Sequence, residues 1–418
     1  MVELYTRAPL RPINRLIATY GDSRLANGWS HSSTETINAV GMQHWATVLS
    51  NGRVEFRPED DFAVSGETVA QIKARIADVV ASDAGSIVFL GGTNSVSGGV
   101  SAAAIIADYI EILDTLEAAG KYVFMFAEVP RGGSNPLASD ALRGVLQQIS
   151  DWVRYVAARR NGVSVVDAWP TLVDPASMTG DPIPGLFRDG LHFGASGAYL
   201  AGAALAEQIN GVVSPNPGLI KTANSIWSAT DNPYGCLNAN PTMLGTGGTV
   251  NATASGSAAD SYQITGQTST GLTIVGSKAT LNGDAYQRLA VSGTGSSTNP
   301  EAVIEQFSGL AAKVSAGDVL QLQALVDVAA SANLKAVYLE LQIKNAGATV
   351  ISARTGYRDT GANYGPTVAY RGVMRTPTVT VPSTFDEVRM RAVGAGYNGA
   401  AVTLDFGVTA MNLIKVRP

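Results

Sequence analysis

Residues 15–25 read RLIATYGDSRL, an apolar run from Arg15 to Tyr20 that ends on Gly21 and opens into a polar turn, Asp22-Ser23-Arg24. A short continuous apolar run bounded by a turn is the pattern of a strand buried on both faces, as in a parallel sheet. Ser86–Leu90 (SIVFL), Tyr122–Phe126 (YVFMF) and Val163–Val166 (VSVV) repeat it. Between these runs lie helical periods. Thr68–Val80 sets Val69, Ile72, Ile76 and Val80 on one stripe, Ala102–Ala119 and Ala138–Arg159 are long and periodic, and Ala195–Ile209 closes the series with Leu200, Ala204 and Ile209 on its apolar face. Strand alternating with helix predicts a right-handed, mostly parallel α/β sheet up to about Asn210. Such a sheet carries its chemistry at the carboxyl ends of its strands.

Beyond that point the texture changes. Val213–Gly218 (VSPNPG) is a linker by its prolines and glycine, and helical periodicity stops there. A chain of 418 residues is also long for one core. Two domains are expected, 1–214 and 215–418. In the second, Leu320–Val326, Val337–Ile343 and Val402–Ala410 alternate apolar with polar residues at period two. The stretch 243–300 is rich in Gly, Ser, Thr and Ala, and it reads either as linker or as short strands at QITG, LTIVG and RLAVSG. Many alternating strands without helices predict an all-β antiparallel sandwich, jelly-roll-like.

Composition narrows the function classes. Hydrophobic residues make up 45% and charged residues 15%, as in folded globular chains. A net charge of −5 supplies no basic surface for nucleic acid. No run approaches the roughly 18 apolar residues of a membrane span, and Met1–Asn14 has no apolar stretch suited to a signal peptide. With one cysteine, Cys236, no intrachain disulfide forms and cysteine-rich zinc sites are excluded; a buried, inert thiol is expected there. No metal or organic cofactor is called for.

Four distant stretches carry chemistry. Ser23 stands just past the carboxyl end of the first strand, in a Gly-Asp-Ser tripeptide that is also a common turn. Asp189-Gly-Leu-His192 precedes the last helix, and an aspartate three residues before a histidine can fold back onto its ring and hold its tautomer. His31 and His44 have no such partner and read as surface or core histidines. Gly91-Gly-Thr-Asn94 follows the second strand, and Ser65-Gly-Glu-Thr68 opens the first long helix. The N–H groups of Ser23 and Gly66 and the Asn94 amide are candidate donors to an oxyanion, where each such donor is worth about 3–4 kcal/mol.

Together, in this order, the blocks resemble those of the SGNH (GDSL-type) hydrolases: Ser23 in GDS, Gly66 in SGET, Asn94 in GGTN, and His192 with Asp189 in DGLH. The resemblance spans roughly residues 15–210. It implies a three-layer α/β/α fold with a flavodoxin-like parallel sheet, and two-step acyl transfer by Ser23, His192 and Asp189 with Ser23, Gly66 and Asn94 at the oxyanion. Two positions depart from the family pattern: Arg24 replaces the usual leucine, and Ser95 replaces an aspartate often found there. Arg24 and Thr93 are assigned to substrate binding, a structural salt bridge being the other reading of Arg24.

An appended sandwich favours an O-acetylated polysaccharide as substrate, with Tyr338 or Tyr364 as candidate exposed platforms for sugar rings. The arrangement is also similar to phage tail-associated carbohydrate O-deacetylases, which act on a virion or outside a cell; a cytoplasmic location is the alternative. Two other functions stay open, a lipase or lysophospholipase, and a receptor-binding virion protein with little hydrolysis. The sandwich can bind glycan or mediate homo-oligomer assembly, and the sequence does not choose between them.

Overall fold

The computed structural model describes residues 14–33, 36–215, 218–219, 221–222, 225–267, 271–296, 300–356 and 366–416. They divide into two compact units. The first comprises residues up to Gly28, Gly41–Ala46 and Arg53–Pro215, and the second Trp29–Val40, Thr47–Gly52 and the C-terminal part.

In the first unit, β1 (Ile17–Gly21), β4 (Ser86–Leu90), β5 (Tyr122–Phe126) and β6 (Val163–Val166) form a parallel sheet in that order. Both faces are covered, which is why the strands are mostly apolar. Ala18, Tyr20, Ile87, Phe89, Val123 and Met125 face a core shared with α3 (Val69–Ala74), α6 (Ala102–Ala118) and α7 (Asp140–Tyr155). Alternate residues Ile17, Val88, Leu90, Phe124 and Phe126 are buried on the other side. There α9 (Ala195–Val212) packs on β6, with Ala198, Ala201, Gly202 and Leu205 buried. The result is a flavodoxin-like α/β layer fold. The stripe over Thr68–Val80 is two helices, α3 and α4 (Ile76–Ala81), broken at Arg75. Arg75 leaves the helical region with φ −106° and ψ 17°, and its guanidinium reaches Glu67 and the Phe62 carbonyl.

The second unit is two mostly antiparallel sheets. One runs β16 (Tyr370–Arg375), β13 (Val319–Val328), β19 (Ala401–Lys415), β11 (Asp284–Thr294), β10 (Leu272–Leu281), β8 (Ser255–Gly256), with β17 (Val379–Thr380) also on β13. The other runs β2 (Trp29–Ser33), β3 (Thr36–Ala39), β15 (Ala348–Thr355), β14 (Leu334–Asn345), β18 (Glu387–Gly396), β12 (Glu301–Gln306), β9 (Ala258–Gln267), β7 (Gly247–Val250). They pack face to face, and Gly394 of β18 leaves the room that the Phe406 ring of β19 fills. The glycine- and threonine-rich stretch 243–300 is thus largely sheet. A single boundary near residue 214 does not describe the chain, because β2 and β3 extend the C-terminal sheet, β3 lying parallel to β15 with Ser352–Thr355 opposite Thr36–Ala39. Cys236 is buried, and burial pushes its thiol up to about 12.

Period-two alternation puts Tyr338 and Glu340 on the face opposite Leu339 and Leu341, yet both faces are buried. Tyr338 is therefore no sugar platform; its hydroxyl donates to Glu301 Oε1 at 2.7 Å. Tyr262, Tyr286 and Tyr370 are buried too, and Tyr364 lies outside the described residues. Charge is tolerated on this face because it is paired in register. Gln263, Glu305, Arg391, Glu340 and Arg354 stand directly opposite one another across β9, β12, β18, β14 and β15. Gln263 donates to Glu305, Arg391 bridges Glu305 at 3.6 Å and Glu340, and Arg354 donates to Glu340 Oε1 at 2.6 Å.

Removing one member of such a buried row leaves the others uncompensated. Glu340→Ala is expected to cost about 3–5 kcal/mol, read from the denaturant midpoint at unchanged m-value. Burial pushes the Glu340 carboxyl up, but Arg391 and Arg354 outweigh it and hold the group below its ordinary value. A depressed folded-state pKa means stability that is present at neutral pH and lost as the pH falls through that value. The stability gap between wild type and Glu340→Gln should therefore narrow on acidification.

Candidate active site

The site grows from the carboxyl edge of the parallel sheet. After β1 the Asp22 N–H donates to the Leu90 carbonyl at 3.1 Å, so the chain turns while still tied to β4. The Asp22 carboxylate then caps the turn α1 (Ser23–Ala26), accepting from the Arg24 N–H at 3.0 Å. Ser23 is thereby fixed at the first position of α1.

The other blocks are stitched to this turn by single bonds. Val64 N–H donates to the Gly21 carbonyl at 2.9 Å, which brings the Ser65–Thr68 segment beside Ser23. Asn94 lies in α5 (Thr93–Ser97), directly after β4. Its Nδ2 donates to the Glu67 carbonyl at 2.9 Å, one residue from Gly66. The Gly66 N–H has no acceptor among the described residues, and the space beside Gly66 is open. Ser95 also finds a use here: its hydroxyl accepts from the Val69 N–H at 2.9 Å and pins the start of α3 to α5.

The fourth block is a tight turn before α9. Asp189 Oδ1 accepts from the N–H groups of Leu191 at 3.0 Å and His192 at 2.8 Å. Its Oδ2 stands 2.7 Å from His192 Nδ1. Gly190 sits at φ +79°, and a Cβ there would collide with the Gly132 carbonyl oxygen, so the turn requires glycine. On the far side of the ring, Nε2 lies 2.8 Å from Ser23 Oγ. Burial raises the Asp189 pKa, but the His192 ring and the two backbone N–H groups more than offset it and hold the carboxyl at about 2. It is an anion at neutral pH, facing Nδ1. That arrangement makes Nδ1 the protonated nitrogen and leaves Nε2 free to accept from the serine hydroxyl. Asp189, His192 and Ser23 thus stand in one unbroken line, and Gly66 and Asn94 are brought together beside it.

Two residues assigned to substrate binding are turned inward. Arg24 is 3% exposed. Its Nε and Nη2 donate to Asp22 at 2.9 and 2.6 Å, and Nη1 and Nη2 engage Glu128. It is a structural ion pair rather than a pocket wall. Thr93 is 1% exposed, and its Oγ1 accepts from Arg131 Nη1 at 3.0 Å. His44 is a core residue against Trp45, held neutral because burial lowers its pKa to about 3. Glu128, Arg131 and Asn135, all in the loop after β5, escaped the sequence reading. Only Glu128 had a local signal, a charged residue two positions past an apolar strand. No cluster of ligand side chains fit for a metal ion occurs among the described residues, and no described helix is long and apolar enough to cross a membrane.

Residues 19–200 match the GDSL-like Lipase/Acylhydrolase family. Among solved structures, a GDSL-like lipase from Bacteroides thetaiotaomicron is 14% identical over 48% of this chain and 89% of its own, with a TM-score of 0.36. A mutant acetyl-xylooligosaccharide esterase from Geobacillus stearmophilus is 18% identical over 47% and 95%, with a TM-score of 0.38. A carbohydrate-binding module of the β-sandwich superfamily is 12% identical over 37% and 57%, with a TM-score of 0.27. No curated protein matches the chain. The stretch that folds into the parallel sheet and lines up Ser23, His192 and Asp189 is the one that is similar to the GDSL-like Lipase/Acylhydrolase family.

Proposed function

We propose that the protein is a serine esterase that removes O-acetyl groups from a polysaccharide. The observation that carries the hydrolytic part is the continuous hydrogen-bonded line from Asp189 through His192 to Ser23. In this reading His192 Nε2 takes the Ser23 proton as Oγ attacks the ester carbonyl. The imidazolium, balanced by Asp189, then returns that proton to the departing sugar oxygen. Water repeats the sequence on the acyl-serine and frees acetate. The oxyanion is met by the N–H groups of Ser23 and Gly66 and by Asn94. A carboxamide has two N–H donors; one Asn94 donor holds Glu67 and the other serves the intermediate.

The polymer reading is supported by the surface beyond the reacting groups. At the same edge of the sheet, past β5 and β6, a cavity of about 340 Å³ is lined by polar Arg131, Arg143 and Gln147 and by apolar Trp169, Leu146 and Met178. Hydrogen-bonding side chains on one side and an aromatic ring on the other suit a sugar, which offers hydroxyls at its rim and an apolar face. For the C-terminal unit we propose glycan contact at a groove of about 630 Å³ that includes Trp227, Tyr234, Lys313 and Asp318, in the manner of a tail-borne deacetylase.

Ser23→Ala should abolish turnover of p-nitrophenyl acetate. Asp189→Asn should lower kcat by about 10³- to 10⁴-fold, because Nδ1 loses the anion that orients it; a wild-type rate in either variant overturns the assignment. Acetate release from O-acetylated polysaccharides, compared with p-nitrophenyl esters of two to twelve carbons, tests the substrate. Preference for the long chains would replace the deacetylase with a lipase.

A further inference from the structure

The loop that follows β5 touches three of the four blocks of the site, and none of its side chains belongs to the motifs that first marked that site. At its start Glu128, 3% exposed, receives the Arg24 guanidinium, whose Nη2 lies 3.1 Å from Glu128 Oε1. The same guanidinium holds Asp22, so the two neighbours of Ser23 in sequence are tied to this loop. In its middle Arg131 donates to Thr93 Oγ1 at 3.0 Å, next to Asn94. At its end the loop closes on itself, Asn135 N–H to the Gly132 carbonyl at 2.9 Å and Arg131 Nε to the Asn135 carbonyl at 2.6 Å. From that closed turn two donors reach the histidine block: Gly132 N–H to the Gly190 carbonyl at 2.9 Å and Asn135 Nδ2 to the Asp189 carbonyl at 2.7 Å.

We infer that Glu128–Asn135 is a strut that sets His192 against Ser23, with Glu128 and Asn135 as its positioning residues. The inference rests on the esterase reading and deepens it. The nucleophile turn and the histidine turn come from opposite ends of the domain, and their mutual placement decides whether Nε2 and Oγ meet. One short loop bonded to both fixes that placement. The Glu128–Arg24–Asp22 bonds are buried and charge-assisted, which makes the first anchor stiff. Asn135 supplies the second through its Nδ2, beside the Gly132 N–H that donates to Gly190. Arg24 and Thr93 thereby act through the strut instead of on substrate.

Asn135 is partly exposed, so its substitution leaves the core intact. Asn135→Ala removes the donor, and Asn135→Asp keeps the shape but turns an acceptor toward the Asp189 carbonyl. Both should lower kcat on p-nitrophenyl acetate by about 10- to 100-fold, the range expected when reacting groups are displaced on the ångström scale. KM should stay within about threefold, and Tm should stay near wild type. Glu128→Gln should act in the same direction. The proton on His192 Nδ1, followed by NMR as a far-downfield resonance, should shift or broaden in both Asn135 variants. Wild-type kcat with an unmoved resonance would overturn the strut, and a change confined to KM would make Asn135 a substrate-binding residue instead. If Ser23→Ala still turns over ester, the esterase reading has failed. The resonance then continues to report on the strut, because it needs no turnover.

Discussion

The bond between Ser23 Oγ and His192 Nε2 joins positions 169 residues apart in the chain. No local preference can bring such groups within 2.8 Å; the sheet must do so. Because the strands are parallel, their carboxyl ends lie on one edge, and each crossover returns the chain to the opposite edge before the next strand begins. Turns after β1 and β4, and the turn ahead of α9, are therefore neighbours in space whatever lies between them in sequence. The chemistry depends on that edge. What the side chains add is the last few ångströms, through bonds such as Val64 to Gly21 and Asn94 to Glu67.

The polar groups of the site are partly desolvated, and the protein meets that cost with pairing. Asp189 collects two backbone N–H groups and the imidazole, enough to stay ionised. Asp22 and Glu128 share one guanidinium under the Ser23 turn. The second unit solves the same problem on a larger scale, with charges alternating across neighbouring strands. A row of this kind also fixes register, since a slip of one residue would move every charge to the opposite face.

Where structure follows from nearest neighbours, the sequence was readable. Ser86–Leu90, Tyr122–Phe126 and Val163–Val166 are strands at the residues their apolar runs mark, because strands packed between two helical layers need little polar surface. Ser23, Gly66, Asn94, Asp189 and His192 were legible as blocks, each with its own turn chemistry. Arg24 and Thr93 were placed in the right turns but not on the right side of them. Direction into core or cleft depends on Glu128 and Arg131, which arrive from another strand. Tyr338 failed for a related reason: alternation tells two faces apart but not whether the second is solvated. The pairing of β3 with β15 left no trace in any local pattern, since backbone ladder bonds carry no side-chain signature.

That last pairing has a consequence for how the molecule is made. Residues Trp29–Ala39 leave the ribosome well before the strand they join, Ala348–Thr355. At typical elongation rates of about 5–20 residues per second the hairpin waits on the order of tens of seconds for its neighbour. During that interval it presents unpaired backbone to the cell. A nascent chain of this design cannot finish its two halves in order of appearance. A C-terminal piece cut at the linker would expose the flank of β15 that β3 covers, so separating the halves by proteolysis or cloning turns a long, interior strand into an adhesive edge.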